Sequence, residues 1–186
     1  MGIKIIMETK IFGGRKIRIR KLAENDLRNV KKFQDFINSL IKENIQITKN
    51  KKISLVEEKK WLVNHLKAVK KRKYVFLVAE DNNQIVGTTE VGLAVGRQEH
   101  VGIFGITIIK GYRGVGLGSY LTKEIIKLGK KELKPKPKII RLSVFPTNKP
   151  ASALYKKSGF KKVATIPKQI QYKGKLVDEL IMLLYL

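Results

Sequence analysis

Four glycines and one arginine crowd into GYRGVGLGSYL, Gly111 to Leu121, just where Leu117, Leu121, Ile125 and Leu128 begin to recur at helical spacing. A helix N-terminus carries backbone N–H groups without intrahelical partners and the positive end of the helix dipole. Glycines there let a phosphate approach the backbone unobstructed, and Arg113 can add charge-assisted hydrogen bonds. The stretch therefore reads as a pyrophosphate cradle. Gly114, Gly116 and Gly118 lack the Gly-x-Gly-x-x-Gly spacing of a dinucleotide fold, the elements before them read as hairpin strands, and no Gly-Lys-Ser/Thr follows as in a Walker loop. A glycine turn without any ligand is the plain alternative.

Other chemistries are restricted by composition. The 186 residues contain no cysteine and only two histidines, His65 and His100, which excludes a disulfide framework and a cysteine nucleophile and argues against a histidine-rich metal centre. Forty Lys and Arg against fifteen Asp and Glu give a formal net charge of +25, a field that attracts nucleic acid, anionic cofactors or acidic protein surfaces. Lysine abundance also suits a heat-adapted proteome, where it is partly a surface habit. With 43% hydrophobic and 30% charged residues the chain has the composition of a folded domain. No apolar run approaches the ~20 residues needed to span a bilayer, so a cytoplasmic protein without a membrane partner is expected.

Elements able to position the glycine stretch follow from periodicity. RKIRIRKL (15–22) alternates at strand period; Leu27, Val30, Phe33 and Ile37 mark a helix opened by Glu24, Asn25 and Asp26; and Ser54 with Glu57 has capping-box spacing before a second helix through Trp61, Leu62, Leu66 and Val69. YVFLVAE (74–80), a turn at DNNQ, IVGTTEVGLAV (85–95) and HVGIFGITII (100–109) read as three strands. After the glycine-led helix come a strand at IIRLSVF (139–145), a short helix between Asn148–Pro150 and Gly159, and two last strands around a turn at 172–175. The expectation is one mixed α/β domain over 1–186, about seven strands and four helices, with 1–14 an extra strand or extension. The apolar last strand, LIMLLYL, suits either the sheet interior or a dimer seam, so monomer and homodimer both stay open.

Arg113-Gly114-Val115-Gly116-Leu117-Gly118 resembles, at every specified position, the Arg/Gln-x-x-Gly-x-Gly/Ala signature of the GNAT superfamily of N-acetyltransferases. Asn148, Ala151, Leu154, Tyr155, Gly159 and Phe160 in NKPASALYKKSGF resemble its second conserved block, and the element order agrees from Arg15 onward. The resemblance implies a mostly antiparallel twisted sheet whose central strands splay to admit acetyl-CoA, with no metal. By resemblance Ile106, Thr107 and Ile108 offer backbone bonds to the pantetheine arm, Arg113, Gly114, Val115, Gly116, Leu117, Gly118 and Ser119 hold the pyrophosphate, and Asn148 lies near the arm. It further implies direct attack of an amine on the thioester, with Tyr155 as acid beside the sulfur. A base must deprotonate the amine; Glu90, a carboxylate within a β-rich apolar stretch, is the leading candidate, with Glu99 and His100 behind it and Ile103 standing where the family often carries a carboxylate. The expected acceptor is a protein or peptide amine. The alternatives are an amino-acid-like small amine, or an inactive basic domain that binds nucleic acid, weakly and nonspecifically in the simplest case.

Overall fold

The computed structural model describes residues 8–47 and 49–186. Strands β1 (Glu8–Phe12) and β2 (Arg15–Lys21) form a hairpin, followed by a short 3-10 turn (Glu24–Arg28) and helices α1 (Val30–Lys42) and α2 (Leu55–Lys70). Then come β3 (Tyr74–Asp81), β4 (Gln84–Leu93), β5 (Val101–Ile108), α3 (Leu117–Glu132), β6 (Ile139–Val144), α4 (Lys149–Lys157), β7 (Lys161–Tyr172) and β8 (Lys175–Tyr185). The eight strands form one sheet in the order β1-β2-β3-β4-β5-β6-β8-β7. Only β5 and β6 are parallel; the other neighbours are antiparallel. The fold class and the four helices agree with expectation, and β1 supplies the strand beyond seven. The rest of the expected 1–14 extension falls partly outside the described residues.

β3 shows why this sheet is covered twice. Val75, Leu77 and Ala79 face one core with Leu117, Leu121, Ile125 and Tyr155, while Phe76 and Val78 face another with Phe33, Phe36, Leu40, Leu62 and Leu66. A strand buried on both faces reads as a continuous apolar run, hence YVFLVAE. So α3 and α4 pack on one side and α1 and α2 on the other. The last strand, β8, lies between β6 and β7, which places LIMLLYL inside the sheet.

Local signals set the boundaries. Ser54 Oγ accepts from the Glu57 backbone N–H at 3.2 Å while Glu57 accepts from the Ser54 N–H at 2.7 Å, so the capping box starts α2. Asn82 and Asn83 have φ of 44° and 67°, the left-handed pair that a two-residue hairpin turn demands. The first helix differs from its periodicity: Asp26 turns back to accept from the Ala23 N–H at 2.9 Å and from Arg20, so a 3-10 turn precedes α1. Arg20 forks onto both Asp26 and Glu80, at 2.8 and 2.7 Å, and fastens that corner to β3.

Candidate active site

The site begins as a defect in the sheet. β5 and β6 pair only through Val101–Ile103 and Ile139–Arg141, although β4 continues to pair β5 as far as Ile108 and β8 continues to pair β6 as far as Val144. Each strand thus keeps its outer partner while the two diverge, leaving a slit at their C-terminal ends. Ile106, Thr107 and Ile108 lie on the diverging part of β5 and are half-buried, and Thr107 is tied to β4 by a hydroxyl contact with Thr88 at 2.9 Å.

Two helices begin at the open end. Loop 109–116 joins β5 to α3, with Gly111, Gly114 and Gly116 at φ of 85°, 76° and 90°. Gly116 is the N-cap of α3 and has no side-chain cap, so the first N–H groups, from Leu117, Gly118 and Ser119, can meet an anion. Steric clearance explains little at Gly114, where an added Cβ would meet nothing within 4 Å; the left-handed backbone is the constraint. Gly118 is the converse case: a Cβ there would lie 3.3 Å from Leu154 and 3.5 Å from Ile108, so glycine lets α3 approach α4 and β5 closely. Val115 is exposed and abuts the β1–β2 turn, where a Cβ on Gly13 would come within 2.8 Å of it.

Arg113 does something its sequence position did not announce. Its Nε donates to the Ile108 carbonyl at 2.6 Å, and its guanidinium forks onto the carboxylate of Glu43, the C-cap of α1, with Nη2 at 2.9 Å. The hydrogen bonds from Arg113 hold the Glu43 carboxyl below its ordinary pKa. The charge expected to face phosphate is directed in this conformation to tying the loop to α1. Arg15 holds the loop from the other side, donating to the Gly111 carbonyl at 2.8 Å and lying over the Tyr112 ring at 4.4 Å.

The second helix, α4, is capped by Asn148, whose Oδ1 accepts from the Ala151 N–H at 3.2 Å. That bond leaves the amide NH2 of Asn148 free to donate. Tyr155, about two helical turns further on, packs edge-on against Phe104 of β5 with centroids 5.8 Å apart and against Phe160 at 6.0 Å. Its ring is buried, which raises its pKa to about 12, and its hydroxyl has no hydrogen-bond partner among the described residues. Glu90 approaches β5 from the opposite face: it pairs with Gly105, where a Cβ would lie only 2.9 Å from Glu90 Oε1. Phe104 and Gly105 are consecutive, so Tyr155 and Glu90 flank one point of β5 from its two sides, at the start of the slit. Burial raises the Glu90 pKa, against a hydrogen bond from Tyr74 and the charge of Lys49.

The family model described as Acetyltransferase (GNAT) family matches residues 39–160, two-thirds of the chain. The chain belongs to the GNAT acetyltransferase family. A GNAT-family acetyltransferase from Streptococcus pneumoniae has the same fold at TM-score 0.78 and 23% identity, covering 91% of this chain and 99% of that one. The ribosomal-protein-alanine N-acetyltransferase from Brucella melitensis aligns at 0.76 and 24%, over 90% and 99%. The Salmonella typhimurium protein yncA, solved with its cofactor acetyl-CoA, aligns at 0.75 and 18%, over 91% and 93%. Among curated proteins none matches.

In this GNAT acetyltransferase the three expected bases lie at different places around β4 and β5. Glu99 pairs with Lys73 at 3.2 Å before β5 begins, and the His100 carbonyl accepts from Lys138 at 2.8 Å, so both sit at the closed end of the β5–β6 pair. Glu90 alone of the three borders the slit. Ile103 lines a groove of about 260 Å3 with Arg141, Ser143, Ile166, Glu179 and Ile181. Arg15, Lys49 and the pairing of Glu43 with Arg113 were missed from the sequence, because no local motif encodes such contacts. Tyr172 donates to the Asn44 carbonyl at 3.0 Å and meets Phe145 edge-on at 5.3 Å, which ties the β7–β8 hairpin to the segment after α1. No described helix is long and apolar enough to cross a membrane, and no described cluster of acidic, cysteine or histidine residues could hold a metal.

Proposed function

We propose that this GNAT acetyltransferase uses acetyl-CoA to acetylate a primary amine of a protein or peptide by direct attack. One observation carries the reading: the slit between β5 and β6 opens onto the uncapped N-terminus of α3, with Tyr155 and Glu90 on either side of its apex. The residues fit the cosubstrate, because an uncapped glycine N-terminus suits a pyrophosphate and a strand edge without a ladder partner suits the amides of a pantetheine arm. Loop residues Arg113 to Ser119 hold the first through backbone N–H groups, Ile106 to Ile108 meet the second, and the Asn148 amide donates nearby. Bound acetyl-CoA supplies a thioester carbonyl carbon open to an amine.

Glu90 takes the proton that the ammonium must lose, directly or through water; a carboxylate with a raised pKa is a better base than an exposed one. The Tyr155 hydroxyl donates a hydrogen bond toward the sulfur as the carbon–sulfur bond breaks. With a pKa of about 12, against roughly 8.5 for a thiol, the phenol keeps its proton and stabilises the thiolate by hydrogen bonding. A protein or peptide acceptor is supported by the chain's net charge of +25, which favours acidic flanking sequence.

Titration calorimetry with acetyl-CoA tests the reading. The wild type is expected to show one saturable site, and Gly116→Asp, which puts a side chain on a left-handed residue and a negative charge at the cradle, is expected to lose it while melting as a folded protein. Equal binding by both proteins, or none by either, refutes the cradle.

A further inference from the structure

The segment between α1 and α2 carries Lys49 back over α2, where the half-buried side chain sets its Nζ 5.7 Å from the centroid of the Trp61 ring. Trp61 leads an aromatic cluster: His65 stacks on it at 4.0 Å, Phe76 meets it edge-on at 5.6 Å, and Tyr74 meets His65 at 4.5 Å. Within one turn of Trp61 on α2, Glu58 is only 4% exposed, and its Oε2 has no hydrogen-bond partner among the described residues. Glu90 joins the cluster through Phe76, its partner across β3 and β4, and through the Tyr74 hydroxyl. The Lys49 charge acts on both carboxylates without a contact ion pair to either.

A buried carboxylate oxygen without a partner is costly, and it either takes up a proton or draws a compensating cation. Here one ammonium acts on two carboxyls, so with both ionised the spot is locally negative inside a chain of net charge +25. An aromatic face beside carboxylates is the chemistry that holds an alkylammonium. We infer that Trp61, Glu58 and Glu90 form the ammonium site for the acceptor amine, and that Lys49 is a tethered competitor that the acceptor displaces. The inference rests on the acetyl-transfer reading and names the acceptor class: an unbranched aliphatic amine arriving as its cation, as a lysine side chain does. Glu58 and Trp61 orient that cation, and Glu90 receives its proton. The chain's net positive charge then selects among such amines for those with acidic neighbours.

Trp61 is the only tryptophan in the chain, so its fluorescence reports this site without any catalytic turnover. Titrating wild type, Lys49→Met and Glu58→Gln with Nα-acetyl-lysine amide is expected to give a saturable response. Lys49→Met should lower the Kd about tenfold and Glu58→Gln raise it about tenfold, each variant having removed one charge from a partly dry site. The neutral Nε-acetylated compound should give no response. Equal Kd in wild type and Lys49→Met, or an equal response to the neutral compound, overturns the inference. Acetyl transfer on the same proteins separates the two readings. Charge-dependent binding without product leaves the ammonium site standing and removes acetyl transfer, whereas product formation with a Kd indifferent to Lys49 and Glu58 does the reverse.

Discussion

Glu90 and Tyr155 flank β5 from its two faces, and burial shifts each in the direction its proposed role requires. As the proposed base Glu90 must be ionised to accept a proton, and its pKa is raised above the ordinary carboxylate value. The rate is therefore expected to fall as pH drops through that raised value, an acid limb above the usual carboxylate range. In Glu90→Gln this limb should vanish and kcat/KM drop ~100-fold, leaving only the dependence set by the amine itself; a pH profile that keeps the limb would acquit Glu90. Stability runs the other way. A carboxyl whose folded pKa is raised contributes stability below its unfolded pKa and loses it as pH rises through the folded value. Glu90→Gln is thus expected to melt higher than wild type at neutral pH, which differential scanning calorimetry would read. For Tyr155→Phe, the lost hydrogen bond should cost kcat ~10 to 100-fold with acetyl-CoA affinity unchanged.

Between elements, the decisive contacts are those that hold loops to strands. Loop 109–116 is bound to α1 through Arg113 and Glu43 and to β2 through Arg15, so its left-handed glycines are supported from two sides. Restoring a Cβ at Gly116 tests this support: Gly116→Ala should destabilise the fold by about 1 to 2 kcal/mol through its φ of 90° and weaken acetyl-CoA binding. The Arg20 fork is the other fastening. Its removal in Arg20→Met leaves Asp26 and Glu80 buried without their cation, and a loss of about 3 to 5 kcal/mol in urea unfolding is expected. A loss under 1 kcal/mol would mean the two acids find water or another partner.

Across the whole molecule the charge of +25 acts on any anion approaching the slit. Salt screens such a field over about 10 Å at 0.1 M, so association of acetyl-CoA should slow, and its apparent KM rise, as ionic strength increases. Stopped-flow association measured across a salt series would read this directly; a flat series would assign the charge to the surface alone. In the proposed ammonium site Glu58 and Glu90 would oppose the same field locally.

Much of this was written in short stretches of sequence. Alternation, helical spacing, apolar runs and the Pro and Gly punctuation of α4 announced the strands and α-helices from β2 onward, the Ser54 box and the Asn82–Asn83 turn gave two boundaries, and the glycine hexapeptide with Tyr155 identified the family, because each of these is a local constraint on backbone or a short-range pattern. The break at Asn29 escaped because Asp26 answers to Arg20 and, through it, to Glu80, a partner far along the chain. The engagement of Arg113 by Glu43 and the seat of Lys49 over Trp61 escaped for the same reason. That β5 and β6 part after three paired residues follows from the outer ladders each strand keeps. The sequence by itself determined the strands, the helices and the conformations the glycines must adopt. Which charges meet, and where the sheet opens, only the tertiary structure decided, since both depend on residues that approach one another across the fold.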